Sequence, residues 1–381
     1  MDAQGRVVAR HEGEIAVPDL LASLGTFLGP GGAVPDPDAG PSPVASVPVP
    51  AGSFRFPAGI VADAGRDLLV VADTGNHRLV VTGMDGRVRS IIGSGVPGLQ
   101  DGVKNFARFR SPRGMAFLPD GRLAIADTGN HAVRSVDVAA GTVETISGTG
   151  EQARRRLTGA GPARETAMAS PWDVAWFSGE LWVAAAGTHQ LLAIGLATGM
   201  LRPAAGSGAE GLHDGPSAEA AFAQPSALAV AAGRLYVADA ESSAIRQVDP
   251  ATGRVRRLVG RGLFDWGDHD GIGDAVRLQH PLGLAASPDA SDPTLYIADT
   301  YNGRVKRFHP GTRAVERIFG GGDGEDGEAG DRDGAGMAAR FRGPSALAVV
   351  SRRVFIADTD NGVVRIGDLT TGRVSVLRLA T

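Results

Sequence analysis

The sequence predicts an all-β protein, a six-bladed β-propeller of four-stranded antiparallel blades. A proline followed by a short run of small apolar residues recurs six times, at intervals of 54 to 63 residues. Each repeat then contains the same four strand-like segments, and 55 glycines and 23 prolines provide many turns. A four-stranded sheet cannot bury both faces alone, so such repeats stack around a ring. The recurring prolines are Pro57, Pro112, Pro171, Pro225, Pro281 and Pro344.

The first two strands of each repeat have distinct patterns. The run after the proline is small and apolar, as suits the crowded innermost strand of a blade. The second strand ends in Ala-Asp in five repeats, whereas the third repeat has Ala184–Ala186 instead. Because they recur in most repeats, these carboxylates are predicted to cap turns rather than to catalyse. They are Asp73, Asp127, Asp239, Asp299 and Asp358.

The outer two strands follow a turn, which is Thr74–His77 in the first repeat. In the third strand apolar and basic residues alternate, and the fourth strand ends in Gly-x-Gly. One basic column recurs and is predicted to form polar bridges within or between blades. It consists of Arg134, Arg246, Lys306 and Arg365.

A motif at the end of the second strand identifies the type of repeat. The pattern Ala-Asp-Thr-x-Asn-x-Arg, at 72–78 and 298–304, resembles the NHL repeat, and the resemblance extends over about residues 54–379. Asp-Gly pairs precede four of the blade-opening prolines by 11 residues, and a Phe or Leu follows each Asp by eight. The third linker has Ala160-Gly161 instead. The aspartates of the four pairs are Asp101, Asp214, Asp270 and Asp333.

Residues before the repeats divide into two segments. Residues 1–29 resemble the last strand and helix of a thioredoxin-like domain, although an ordinary β-turn-α extension is the alternative. Residues 30–52 form a Pro/Gly-rich linker, and 53–381 form the propeller. This order resembles the NHL repeat-containing protein 2 family, which joins a thioredoxin-like domain to an NHL propeller. The segment holds no Cys-x-x-Cys motif, so no redox activity is carried over.

Composition excludes several classes of function. The chain has no cysteine, which rules out disulfides and cysteine-ligated metals within it. Its net charge of −4 gives no general attraction to nucleic acid or anionic membranes. No stretch approaches the ~18 apolar residues of a membrane span. We expect no cofactor, no metal and no nucleic-acid or membrane partner, and a cytoplasmic location unless a targeting segment lies upstream of Met1.

Three motifs could suggest a bound ligand. The repeat pattern accounts for the first two without one. His77, His131 and His189 share one turn position in separate blades, too far apart for one zinc ion. Two Gly-x-Gly-x-x-Gly stretches, 93–98 and 206–211, coincide with blade exits rather than with a βαβ unit. The acidic loop Asp323–Asp333 lacks the EF-hand spacing, and calcium binding there remains an open alternative.

The face that carries the linkers and the turns between second and third strands is predicted to bind, because function concentrates on long loops. We expect a non-enzymatic scaffold for an unknown protein or small-molecule partner and assign no catalytic residue, which leaves the question of an enzyme open. The alternatives are a hydrolase or lyase with a site at the channel mouth and, more weakly, RNA binding. The candidate residues are His77, Asp101, Arg113, His131, Asp173, His189, Asp214, Asp270 and Asp333.

Overall fold

The computed structural model describes residues 54–289, 291–321 and 329–380. The predicted thioredoxin-like remnant and the Pro/Gly-rich linker lie outside these residues. The described chain forms six antiparallel sheets, which confirms the predicted six-bladed β-propeller. No helix in this part of the chain is long and apolar enough to cross a membrane.

The innermost strand of each blade begins near the recurring proline and lines a central channel. These strands are β1 Gly59–Asp63, β6 Pro112–Phe117, β11 Pro171–Phe177, β16 Pro225–Ala231, β21 Pro281–Ala286 and β26 Pro344–Val350. The second strands are almost wholly buried between neighbouring blades. They are β2 Leu68–Asp73, β7 Leu123–Asp127, β12 Glu180–Ala185, β17 Arg234–Asp239, β22 Leu295–Asp299 and β27 Arg353–Asp358.

The third and fourth strands complete each blade toward its outer edge. The third strands are β3 Arg78–Thr82, β8 Ala132–Asp137, β13 Gln190–Gly195, β18 Ala244–Asp249, β23 Arg304–His309 and β28 Val363–Asp368. The fourth are β4 Val88–Ile92, β9 Thr142–Ser147, β14 Met200–Ala205, β19 Arg254–Val259, β24 Ala314–Phe319 and β29 Arg373–Val376. The short 3₁₀ helices are Thr74–Asn76, Thr128–Asn130, Ala186–Thr188, Gly273–Ala275, Gly336–Ala338 and Thr359–Asn361.

Five blades contain a fifth strand that the four-strand prediction missed. Each linker runs along the outer edge of the blade that it enters and pairs there with the start of the fourth strand, before it returns to the channel. These two-residue strands are β5 Gly102–Val103, β10 Gly161–Pro162, β15 Gly215–Pro216, β20 Gly271–Ile272 and β25 Gly334–Ala335.

The C-terminal segment occupies the corresponding edge of the first blade. The N–H of Val88 donates to the carbonyl of Ala380 (2.7 Å), and the N–H of Ala380 donates to that of Gly86 (3.0 Å). The last and first blades also share an apolar cluster that contains Phe355 and Val71. Both contacts close the ring.

The core consists of six apolar clusters, each between two consecutive blades. The linker residue eight positions after each Asp belongs to this core and is fully buried. These residues are Phe109, Phe222, Leu278 and Phe341. In the third linker, which lacks the Asp-Gly pair, Met168 takes this place and is also buried. The buried apolar residue is therefore present in this linker even without the pair.

Candidate binding face

The carboxylate of the Ala-Asp pair in the second blade is the centre of a buried polar network. Asp127 Oδ1 accepts the backbone N–H of Arg110 (2.7 Å), and its Oδ2 accepts from Asn130 and Arg134 (2.8 Å each). The guanidinium of Arg134 also donates to Asp101 (2.7 Å). Burial raises the pKa of Asp127 to about 6, against the opposing effect of Arg134. The network therefore ties the linker, the turn and the third strand together within one blade.

The fourth, fifth and sixth blades repeat this network. In the fourth blade Arg246 bridges Asp239 (3.4 Å) and Asp214 (2.8 Å). Lys306 bridges Asp299 (3.2 Å) and Asp270 (3.3 Å) in the fifth blade. In the sixth blade, Arg365 contacts Asp358, Asp331 and Asp333. The predicted polar bridges are thus present, and they lie within blades. The prediction of turn caps is wrong for Asp73, Asp127 and Asp358, because none of them bonds the backbone of the 3₁₀ turn that follows. Each accepts instead the N–H of the residue two positions before the proline and the side chain of the turn asparagine.

The first and third blades vary the network. In the first blade Arg78 contacts Asp73 (2.8 Å) from a position two residues earlier in the third strand. In the third blade the aspartate is replaced by Ala185 and the basic residue by Leu192, both buried. There the side chain of Gln190 holds the linker instead, through both backbone groups of Leu157 (2.8 and 3.0 Å).

The three candidate histidines connect neighbouring blades. Each has a left-handed backbone, with φ of 50° to 53°, which explains why Gly303 and Gly362 occupy this position in two other blades. Ser243 at the same position also has a left-handed backbone, with φ of 49°. The Nδ1 atoms of His77, His131 and His189 accept the N–H of the residue before the next blade-opening proline, at 3.0 to 3.2 Å. Burial and nearby arginines lower the pKa of His77 and His131, so the neutral ring is favoured.

The other two candidates, Arg113 and Asp173, lie in the central channel. The guanidinium carbon of Arg113 lies 4.5 Å from the centre of the Trp172 ring. Burial lowers the pKa of Arg113 and raises that of Asp173 to about 7. Asp173 accepts the backbone N–H groups of Val174 (2.8 Å) and Leu228 (2.7 Å), and so links two blades.

The channel opens on the long-loop face into a depression of about 690 Å³ that spans the fifth, sixth, first and second blades. Arg113 lies at the boundary between this depression and the channel cavity of about 210 Å³. Two aromatic side chains line the depression and are largely exposed, Phe56 at 51% and Tyr301 at 63%. The Tyr301 ring stacks on His280 at 4.4 Å.

Two arginines line the depression, Arg113 and Arg342, and two more lie on adjacent turns. Arg342, Arg55 and Arg110 occupy the second position before the proline in the sixth, first and second blades, which are consecutive around the ring. All three are exposed, and a Cβ added to Gly75 or Gly129 would meet the Cγ of Arg55 or Arg110 at 2.8 and 2.6 Å. The side chains of these two arginines therefore lie across the turns. We call Arg342, Arg55, Arg110 and Arg113 the arginine arc.

The structure separates the nine predicted site residues into three places. The linker aspartates lie at the outer edges of blades, the histidines lie between blades, and Arg113 and Asp173 lie in the channel. It does not gather them into one cluster, and within the described ranges no group of three His, Asp or Glu side chains could hold a metal. Of the acidic loop, residues 322–328 lie outside the description.

Sequence reasoning missed Trp172, the exposed aromatics and the three repeat-position arginines. A comparison of the position two residues before each proline would have found the arginines, since Ala169, Ala223 and Gln279 stand there in the other three blades. Nothing in the repeat pattern distinguishes Phe56 or Tyr301 from ordinary turn residues.

Comparison with known proteins agrees with this architecture. The NHL repeat family matches residues 54–81 and 109–134. Human NHL repeat-containing protein 2 is 35% identical over 360 residues, which is 86% of this chain and 48% of that protein. The chloroplastic protein SUPPRESSOR OF QUENCHING 1 of Arabidopsis thaliana is 34% identical over 84% of this chain and 31% of its own length. The chain thus spans half or less of these relatives.

Solved structures share the fold at low sequence identity. A Bacteroides thetaiotaomicron protein of unknown function has a TM-score of 0.59 at 16% identity, over 82% of this chain and 69% of its own. An auxiliary nutrient binding protein from Bacteroides ovatus has a TM-score of 0.57 at 15% identity, over 84% and 69%. Such likeness shows only the fold. The repeats, the six blades and the sequence relatives establish that the chain is an NHL-repeat β-propeller that resembles the propeller half of the NHL repeat-containing protein 2 family.

Proposed function

We propose that this propeller is a non-enzymatic scaffold that binds a partner protein through its long-loop face. The observation that carries the proposal is the depression at the channel mouth, where Phe56 and Tyr301 are exposed beside the arginine arc. Tyrosine and arginine are enriched at binding hot spots, and phenylalanine is enriched at protein interfaces. The opposite face has tight hairpins, such as those closed by Gly86 and Gly121.

The channel supports binding better than it supports a reaction. Asp173 has the perturbed pKa of a candidate acid or base, but both its oxygens accept backbone N–H groups. A Cβ added to Gly114 would come within 1.9 Å of Asp173 Oδ1, so the carboxyl group is wedged between two blades. We therefore assign Asp173 a structural role. A cytoplasmic location stays a prediction.

Site-specific photo-crosslinking tests the proposed face. A benzoylphenylalanine would replace Tyr301 on the long-loop face, and matched variants would carry it at Asp85 or Asp120 in exposed hairpins of the opposite face. We expect Tyr301 to yield a discrete adduct with one protein, identified by mass spectrometry and reproduced with that protein purified. Adducts that form equally from both faces, or from neither, would contradict the proposal.

A further inference from the structure

The arginine arc has no acidic partner within the described residues. None of its four guanidinium groups forms a hydrogen bond or lies within 4.0 Å of a carboxylate there, unlike the buried Arg134, Arg246 and Arg365. The depression itself contains one carboxylate, Asp360, which is also exposed. Among the residues that line the depression, Arg113 and Arg342 are basic and Asp360 is acidic, so the charge of this lining is 2 − 1 = +1, although the whole chain has a net charge of −4. Arg55 and Arg110 add two positive charges on the adjacent turns.

Arg113 is suited to hold a carboxylate at a fixed place. Its guanidinium carbon lies over the Trp172 ring, 4.5 Å from the ring centre, and this cation–π contact holds the group in place. The edges of a guanidinium held in this way remain free to donate two parallel N–H bonds, the geometry that matches a carboxylate. Withdrawal from bulk water strengthens such a bond relative to one on the open surface.

The aromatic walls indicate that the ligand also carries an apolar group. Phe56 and Tyr301 come from the first and fifth blades, and both line the depression. Phe56 has a left-handed backbone with φ of 49°, while Tyr301 is supported by the ring of His280. A volume of about 690 Å³ is within the range of ~300–1,000 Å³ that ligand sites occupy and would accept a few side chains.

We propose that the channel mouth binds an acidic peptide segment of a partner protein, with one carboxylate on Arg113 and an apolar side chain against Phe56 and Tyr301. This assignment rests on the proposed binding function and adds the chemistry of the ligand. A nucleic acid fits less well, because a backbone groove needs positive charge along its whole length. At the same repeat position, half of the ring carries Ala169, Ala223 and Gln279 instead.

Titration of the full chain with capped peptides tests the inference. The probe is Glu-Glu-Phe-Glu-Glu and its control is Gln-Gln-Phe-Gln-Gln, both followed by fluorescence anisotropy at two salt concentrations, with an eight-residue oligouridine as a third ligand. We expect only the glutamate peptide to bind, and to bind more weakly at high salt. Equal binding of both peptides, no binding of either, or tighter binding of oligouridine would overturn the inference.

Variants locate the site. Arg113→Gln should weaken binding of the glutamate peptide roughly tenfold or more, as loss of charged hydrogen bonds implies. Arg113→Lys keeps the charge but not the paired donors, and should retain part of the affinity. The control is Arg154→Gln with Arg155→Gln, exposed arginines of the third linker, which should bind as the parent does. Equal weakening by the control would overturn the site.

Failure of the inference and failure of the proposed function are distinguishable. A protein crosslinked through Tyr301 without glutamate-peptide binding would refute the acidic ligand alone. Absence of both would refute the scaffold function as well. Unchanged thermal unfolding of Arg113→Gln would show that its loss of binding does not arise from misfolding.

Discussion

The second and third blades have the same strand order, yet they differ at three linked positions. The second blade buries Arg134 between Asp127 and Asp101. The third blade has Leu192, Ala185 and Ala160 in the corresponding places. All three charged residues are thus missing from the third blade. This is expected, because a buried charged network that lacks one partner is less stable than an apolar one. The repeated charges therefore serve the blade, whereas the arginine arc follows no blade-by-blade requirement.

The largest expected effect is that of breaking the network in the second blade. Arg134→Leu would leave Asp127 buried without its cation, at a cost of about 3–5 kcal/mol in the free energy of unfolding. Urea denaturation measures this change. The matched control is Arg122→Leu, which removes an exposed ion pair with Asp120 and should cost less than about 1 kcal/mol. Equal losses in the two variants would show that burial of the pair is immaterial.

Copying the third blade should reverse most of that loss. The combination of Asp101→Ala, Asp127→Ala and Arg134→Leu removes all three charges, and apolar replacement of a complete buried set is often nearly neutral. We expect the triple variant to be more stable than Arg134→Leu alone, in the same urea experiment. If the triple variant were less stable than Arg134→Leu, the hydrogen bonds that Asp127 accepts from Arg110 and Asn130 would contribute more to stability than the unpaired charge costs.

Asp173 should give the propeller a distinct pH dependence. Its pKa is raised to about 7, so the folded protein retains a proton that the unfolded chain releases near the ordinary value. Stability from this group is present below about pH 4 and is lost as pH rises to about 7. Relative to Asp173→Ala, the free energy of unfolding of the parent should fall by about 2 kcal/mol over that pH interval. This is less than the full pKa shift implies, because Asp173 remains partly exposed.

Thermal unfolding of both proteins at half-unit steps of pH would measure the difference. Position 173 corresponds to Gly114 and Ala227 in the neighbouring blades, so the substitution places a residue that such a strand already uses. Parallel pH profiles for the two proteins would contradict the burial of the carboxyl group.

The smallest effect is expected at the histidine turns. His131→Gly removes left-handed strain, which stabilises, and also removes the acceptor for the N–H of Ser170, which destabilises. The two terms nearly cancel, and we expect a change below about 1 kcal/mol in thermal unfolding. His131→Ala keeps the strain and loses the acceptor, so it should be the less stable variant. The reverse order would contradict the left-handed strain at position 131, because both variants lose the ring and differ only in the backbone.

The sequence predicted the features that recur. The prolines, Ala-Asp ends and basic column located six blades, and the same logic assigned the repeated charges to structure. The fifth strands were missed because two-residue edges leave almost no periodicity. The aromatic mouth was missed because Phe56 and Tyr301 become neighbours of one depression only when the ring closes. Trp172 was missed because its contact with Arg113 joins two blades and is not apparent in the sequence.

The separation of stability from binding is tested most directly by one paired measurement. Thermal unfolding and glutamate-peptide affinity would be determined for Arg113→Gln and for the equivalent triple variant of the fourth blade, Asp214→Ala with Asp239→Ala and Arg246→Leu. Asp239 holds the backbone of Ala223, so this triple variant leaves the arginine arc untouched. We predict that the triple variant binds as the parent does even where its melting temperature falls, and that Arg113→Gln melts as the parent does but binds roughly tenfold or more weakly. Affinity and melting temperature that fall together in both variants would contradict the account.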